Sequence, residues 1–315
     1  SPPGLRPQHL TTVKAVTEIC EGKAEGLAVG SMEVTFRPGR PRGGSYTFDI
    51  GTAGSISLLL QCIAPITSFA DSPTELRVRG GTAVRWSPPI RIMGSVVWNA
   101  FREMEFKGCL DVRREGFYPR GGGLVDVSVK PAIELRSLNT KDVDNVPRVE
   151  GASVCGRLPR HVAERQARSA QRVLEDTGID SEISVTVAEG DIAPLSPGSV
   201  LSLWAVSSPK TFVGASALGE RGKPAERVGE EAANSLVDEL KVEASVDRYT
   251  ADNLILWCSL AHGKSSFTTS ALTSHTRTAI EMAQLFTGVV FTVDDESKGR
   301  TRISCEGISL KNERI

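Results

Sequence analysis

Histidine, tyrosine and tryptophan are scarce in this chain, at 4, 3 and 4 residues out of 315. The cysteines are equally uninformative as a framework. Cys20, Cys62, Cys109, Cys155, Cys258 and Cys305 are widely scattered, with no C-x-x-C pair and no histidine cluster beside them. That spacing argues against a disulfide scaffold or a zinc site and predicts free thiols in a reducing compartment. No apolar run approaches the roughly 20 residues of a membrane span, and no signal-peptide pattern opens the sequence. A cytoplasmic protein without a membrane partner is therefore expected. Neither sign of charge dominates, since 37 Lys and Arg face 38 Asp and Glu for a net charge of −1. This excludes binding nucleic acid through the global field, so an RNA or DNA partner would need a local basic groove.

What is present is an ordinary soluble composition, 40% hydrophobic and 24% charged, in 33.7 kDa. The length suits two domains or one domain with an insertion. Leu10, Val13, Val16 and Cys20 have helical spacing. The stretches 31–38 and 45–50, joined by GRPRGG, read as a hairpin. A glycine-opened apolar helix is expected over 51–66, then a strand at 76–79. A second helix carries Val97, Ala100, Phe101 and Met104, followed by strands at 109–114 and 124–129 around the turn GFYPRGGG. A third begins at LTSHTRTAIEMAQLF, with strands near 289–293 and 300–306 around DDESKG.

The first two helices start 84 residues apart and the third starts 184 further on, an excess of about 100 residues. The excess predicts an insert over 142–243 with strands and helices of its own: a strand at 149–154, a helix with Ala163, Ala167, Ala170 and Leu174, strands near Ile183, Val200 and Phe212, and a helix from Pro224. The fold class expected is α/β (α+β), a body of three repeats over 1–141 and 244–315 carrying a smaller inserted α/β domain.

His275 lies at the mouth of the third helix, behind a run of Ser and Thr. Backbone N–H groups at a helix start favour anions, which makes this imidazole a candidate nucleophile for phosphorus chemistry. A buried histidine that only packs is the competing reading. Tyr249 and Asp252, three apart at a helix start, would present a ring and a carboxylate on one side, although an Asp there also serves as a plain N-cap. Gln61 inside an apolar helix needs a partner, either a ligand or a core hydrogen bond. The turns RGGS, RGGT and PRGGG suit phosphates and tight hairpins alike. HGKSS resembles the tail of a P-loop but has Cys258 where the first glycine belongs. Of the other histidines, His9 at a helix start is a candidate phosphate contact, whereas His161 and His262 read as structural or exposed.

Nine stretches, PGLRPQHLT, RGGSYTFDIGTAGS, LLLQ, RGGTAVRWSPP, GFYPRGGG, LPRHVAER, GERGKPAE, YTADNL and SHTRTA, occur in the order and spacing of one family. Along essentially its whole length the chain resembles the RNA 3′-terminal phosphate cyclases. The resemblance implies three two-helix, four-stranded units with an α/β insert. It also implies an enzyme that uses ATP and a divalent cation, Mg or Mn, to convert an RNA 3′-phosphate end into a 2′,3′-cyclic phosphodiester. His275 falls at the family's adenylylated histidine. Gln61, Tyr249, Thr250, Ala251, Asp252 and Asn253 fall at ATP-contacting positions, and Pro88 at a proline beside the adenine. Gln8, His9, Arg40 and Arg42 are candidate phosphate or RNA contacts. The family's metal-binding Glu and phosphate-binding Arg residues belong to a glycine-rich segment ahead of the position of Ser1, so no metal ligand is assigned here. Two other classes compete: a non-catalytic cyclase-like factor of ribosome assembly, which lacks the histidine, and an enolpyruvyl-transferase-like enzyme, against which YTADN speaks.

Overall fold

A computed structural model describes residues 3–141, 148–207 and 210–315. The chain is mixed α/β. It opens with helix α1 (Pro7–Ile19), the two-stranded antiparallel pair β1 (Lys23–Glu25) and β2 (Thr35–Arg37), and strand β3 (Gly44–Asp49). Helix α2 (Ile56–Ser68) leads into β4 (Thr74–Gly80). A continuous helical stretch follows, α3 (Ile90–Ile92), a π-helical turn (Met93–Val97) and α4 (Trp98–Glu103), and then β5 (Lys107–Arg114) and β6 (Gly123–Lys130). These strands form one sheet in the order β3-β4-β6-β5, with β3 parallel to β4 and the other pairs antiparallel.

Two expectations change here. The hairpin over 31–50 does not form, because β2 pairs with β1 while β3 joins β4 across the helix between them. Pro41 in the GRPRGG segment and Pro38 just before it cannot donate to a ladder. The segment's polar groups instead turn toward Asp71, whose carboxylate accepts from the Gly43 N–H at 2.9 Å and from Arg42 Nη1 at 2.8 Å. The helix expected from Gly51 begins at Ile56. Gly51 adopts φ 73, a left-handed conformation outside any helix, and Ser55 caps the helix by accepting from the Leu58 N–H at 3.3 Å.

The segment after 147 builds its own sheet from β7 (Arg148–Gly156), β8 (Ser181–Ala188), β9 (Gly198–Val206) and β10 (Gly214–Leu218), in the order β10-β9-β7-β8. Helices α5 (Arg160–Asp176) and α6 (Ala225–Lys241) pack on it. Ala163, Ala167, Ala170 and Leu174 recur every three or four residues, so one face of α5 is apolar and all four are buried. Ala167, Ala170 and Leu174 meet Leu201, Leu203 and Leu236 in a core separate from the main one. Residues 142–147, where the insert is expected to begin, lie outside the described residues. Phe212, expected in a strand, precedes β10 and bridges to Val246.

Helix α7 (Thr250–Leu260), β11 (Lys264–Thr269), α8 (Ser274–Thr287), β12 (Phe291–Asp295) and β13 (Thr301–Glu306) complete the chain. Their sheet, β11-β13-β12, is antiparallel throughout. Helix, strand, helix, then two strands, with the last strand between the other two, is also the connectivity from α2 to β6. The main core runs between these two parts, where Phe101 on α4 stacks on Trp257 of α7 at 4.1 Å and Phe106 packs edge-on to both. Such aromatic pairs contribute about 0.5–1.5 kcal/mol beyond the area they bury. All six cysteines are free. No helix among the described residues is long and apolar enough to cross a membrane.

Candidate active site

Helices α7 and α8 pack together and bring two polar residues from distant points of the sequence to one place. Thr273 caps α8, its Oγ1 accepting from the Thr276 N–H at 3.1 Å, and His275 is the second residue of that helix. The side chain is exposed, so the reading of a buried packing histidine is set aside. Asp252, in the first turn of α7, is half-buried. Burial pushes its carboxyl up to about 6, while the nearby His275 pulls in the other direction. Its Oδ1 accepts from Asn253 Nδ2 at 2.6 Å, and that amide also donates to the Tyr249 carbonyl at 2.9 Å.

The helix-capping role that Asp252 could have filled belongs to Asp247. Asp247 Oδ1 accepts from the Tyr249 and Thr250 N–H groups at 2.9 and 2.7 Å, and Oδ2 accepts from Thr250 Oγ1 at 2.9 Å and from the Gly214 N–H at 3.0 Å. One buried carboxylate thus satisfies orphan donors at the start of α7 and one on β10. Burial, with Glu239 nearby, pushes Asp247 up to about 7. Glu239 of α6 is itself buried, accepting from Arg248 and from Ser270 Oγ. This network holds the start of α7 and the approach to α8 in register. Asp247 lies in the stretch DRYTADNL, and Asp before a helical run is a start signal. Glu239 lacks any such local signal because its partners are distant.

Within the run 249–253, Tyr249 is 68% exposed, Asp252 and Asn253 are half-buried, and the Thr250 and Ala251 side chains are buried. The helical stretch that follows Pro88 reaches Gly214. A Cβ on Gly214 would lie 2.7 Å from Val96 Cγ2 and 3.2 Å from Ile92 Cδ1, so the helical stretch behind Pro88 abuts the glycine whose N–H binds Asp247. Pro88 is half-buried.

A second cluster forms where β3 and β4 end. Gly81 N–H donates to the Gly54 carbonyl at 2.7 Å, and Gln8 Oε1 accepts from the Ser55 N–H at 3.0 Å. Gly121, at φ 62, sits so close to Thr52 and Ala53 that a Cβ would meet backbone at 2.7 Å. Beneath these loops lies buried Glu115, which accepts from Thr82 Oγ1 and from Arg91 Nη2, the latter at 2.9 Å. No local signal marks this ion pair in the sequence, because its partners lie 24 residues apart.

Gln8 therefore serves the α2 start. His9 is exposed, its Nδ1 accepting from the Arg6 N–H at 3.3 Å. Arg40 is exposed, and Arg42 is engaged by Asp71 and Glu21. Gln61 lies on α2, half-buried and without a hydrogen-bond partner among the described residues. His161 is exposed, and His262 Nδ1 pairs with Ser309 Oγ at 3.0 Å. Among the described residues no group of three or more His, Cys, Asp or Glu could hold a metal ion.

The family model for RNA 3′-terminal phosphate cyclase matches residues 1–293. Curated relatives bearing that name include one from Pyrobaculum aerophilum, 41% identical over 97% of this chain and 87% of its own length. Others come from Methanopyrus kandleri, 43% identical over 90% of this chain and 81% of the relative, and Hyperthermus butylicus, 44% identical over 90% and 80%. With a match of this extent and relatives this similar, the chain belongs to the RNA 3′-terminal phosphate cyclase family.

Proposed function

We propose that this protein converts an RNA 3′-terminal phosphate into a 2′,3′-cyclic phosphodiester at the expense of ATP, with His275 as the covalent carrier of AMP. The observation that carries the reading is His275 itself, exposed at the N-terminus of α8 beside the Asp252 carboxylate. A ring nitrogen of His275 attacks the α-phosphorus of ATP, the bond to the β-phosphate oxygen breaks, and pyrophosphate leaves. An oxygen of the RNA 3′-phosphate then attacks the same phosphorus, and the N–P bond breaks to return the histidine. The neighbouring 2′-OH gives up its proton and attacks the 3′-phosphorus, releasing AMP and closing the ring. Imidazole suits both halves, since it is largely neutral and nucleophilic near pH 7 yet leaves readily once its phosphoramidate is protonated.

Asp252, within electrostatic reach of His275, stabilises the imidazolium that forms after attack. The exposed Tyr249 ring offers a face for adenine, with Pro88 on the neighbouring element as its opposite wall. Gln61, whose side chain has no hydrogen-bond partner among the described residues, retains its amide for the nucleotide. Thr250 and Ala251 are buried, main chain included, and their N–H groups are taken by Asp247, so their part is to shape the run that carries Tyr249, Asp252 and Asn253. A divalent cation would neutralise charge on the phosphates, but the described residues do not themselves form a site for one, and the steps above use only this chain's side chains. A non-catalytic ribosome-assembly factor has no need of an exposed histidine in this setting.

The test is incubation with ATP labelled at the α-phosphate, using wild type and His275→Ala. Acid-labile label on the wild type alone is expected. Label that persists on His275→Ala, or none on the wild type, would overturn the assignment.

A further inference from the structure

Trp86 is 91% exposed and adopts φ 63, the left-handed region that a bulky side chain rarely enters. Backbone strain of this kind persists only where the surroundings hold it. The loop around it is indeed pinned. At its base the Ile90 N–H donates to the Thr82 carbonyl at 2.7 Å, and Thr82 and Arg91, on either side, share buried Glu115. At its tip Arg85 Nη2 donates to Glu220 Oε2 at 2.5 Å, tying the loop to the segment before α6. Ala83 and Val84 are buried beneath. The indole is thus displayed by a rigid support.

A second aromatic stands on the adjoining loop. Ala83 bridges to Phe117, whose ring is buried against Gly198, and the next residue, Tyr118, is 77% exposed. Arg120 is exposed on the same loop, its N–H held by Ser196 Oγ at 3.2 Å. Arg221 is exposed beside Glu220. Cationic side chains interleaved with exposed, preorganised rings match the chemistry of single-stranded nucleic acid, whose phosphates need positive charge and whose unpaired bases need a stacking face. A protein partner would call for a contiguous aliphatic patch, whereas the immediate neighbours of Trp86 are Arg85 and Ser87. The adenine of ATP already has its proposed face on Tyr249, which belongs to a different element.

We propose that Trp86 is a stacking platform for an unpaired RNA base upstream of the 3′-phosphate, with Tyr118 as its neighbour for a second base. The proposal rests on the cyclase reading for the identity of the RNA, but its test does not require turnover. Binding of a fluorescent single-stranded oligoribonucleotide ending in a 3′-phosphate is measured without ATP on the full chain, for wild type, Trp86→Ala and Trp86→Phe. Base stacking of this type predicts that Kd rises on the order of tenfold in Trp86→Ala. Trp86→Phe should restore most of the affinity. An oligomer with abasic sites near its end should bind all three proteins alike. The RNA should also quench tryptophan emission in wild type but much less in Trp86→Phe, a readout that stands if Trp86→Ala fails to fold.

Equal RNA affinity in wild type and Trp86→Ala refutes the proposal and leaves a protein partner as the reading of this surface. A loss seen equally on abasic RNA refutes stacking, as does an effect confined to the ATP concentration dependence of protein adenylylation. Absence of any AMP adduct together with Trp86-dependent RNA binding would instead sink the cyclase reading and leave the platform intact.

Discussion

Replacing Asp247 with Asn changes one atom in a buried carboxyl group and isolates what its charge does. In the folded protein burial, reinforced by Glu239, pushes this carboxyl up from 3.8 to about 7. A carboxyl with a raised folded pKa binds more protons folded than unfolded, so its contribution to stability is greatest below pH 4 and is lost as pH rises through 7. Linkage gives a loss of about 3 kcal/mol between pH 5 and pH 8 from this group. The Asn amide does not titrate. Its carbonyl still accepts from the Tyr249 and Thr250 N–H groups, as Oδ1 does now, but its NH2 faces the Gly214 N–H donor that Oδ2 accepts from. An unmatched donor pair of this kind costs about 1–3 kcal/mol, an offset that does not vary with pH. Urea unfolding of wild type and Asp247→Asn at pH 5, 6, 7 and 8, at constant ionic strength, measures the difference directly. The variant should gain on wild type by about 3 kcal/mol over that range. A stability difference that stays constant with pH would show that Asp247 does not carry the buried charge, and the account of how α7 is held would fail.

Asp252→Asn should slow adenylylation of His275 and flatten its pH dependence: wild type should lose rate as pH falls through about 6, whereas the variant should show no step there in a single-turnover assay. A wild-type profile without that step would remove Asp252 from the chemistry. Glu115→Ala leaves Arg91 and Thr82 without their shared acceptor, and breaking a buried ion pair costs about 3–5 kcal/mol. A large fall in the urea midpoint is expected, and an unchanged midpoint would mean the loops around Trp86 are held by other means.

The legibility of this protein follows the range of its interactions. Helix α5 announces itself because Ala163, Ala167, Ala170 and Leu174 repeat at the period of a single turn, and the hairpin β5–β6 because its turn is local. The motif at His275 is equally local, since a helix start, an N-cap threonine and the histidine lie within three residues. Pairing of distant strands is not written this way. The segments 31–38 and 45–50 looked like partners because they are neighbours in sequence, yet β3 finds β4 beyond a whole helix, and Asp71 turns the intervening glycines aside.

What the sequence by itself determined is therefore the set of elements, their class, the family and the identity of a nucleophile candidate. Tertiary structure alone decided which carboxylate does what. Asp252 and Asp247 stand five residues apart in one stretch, and either satisfies the statistics of a helix start. The fold buries one against Gly214 and Glu239, where it caps α7, and brings the other within electrostatic reach of His275. Local propensity is set by neighbours along the chain, whereas burial and charge pairing depend on residues that only packing brings together.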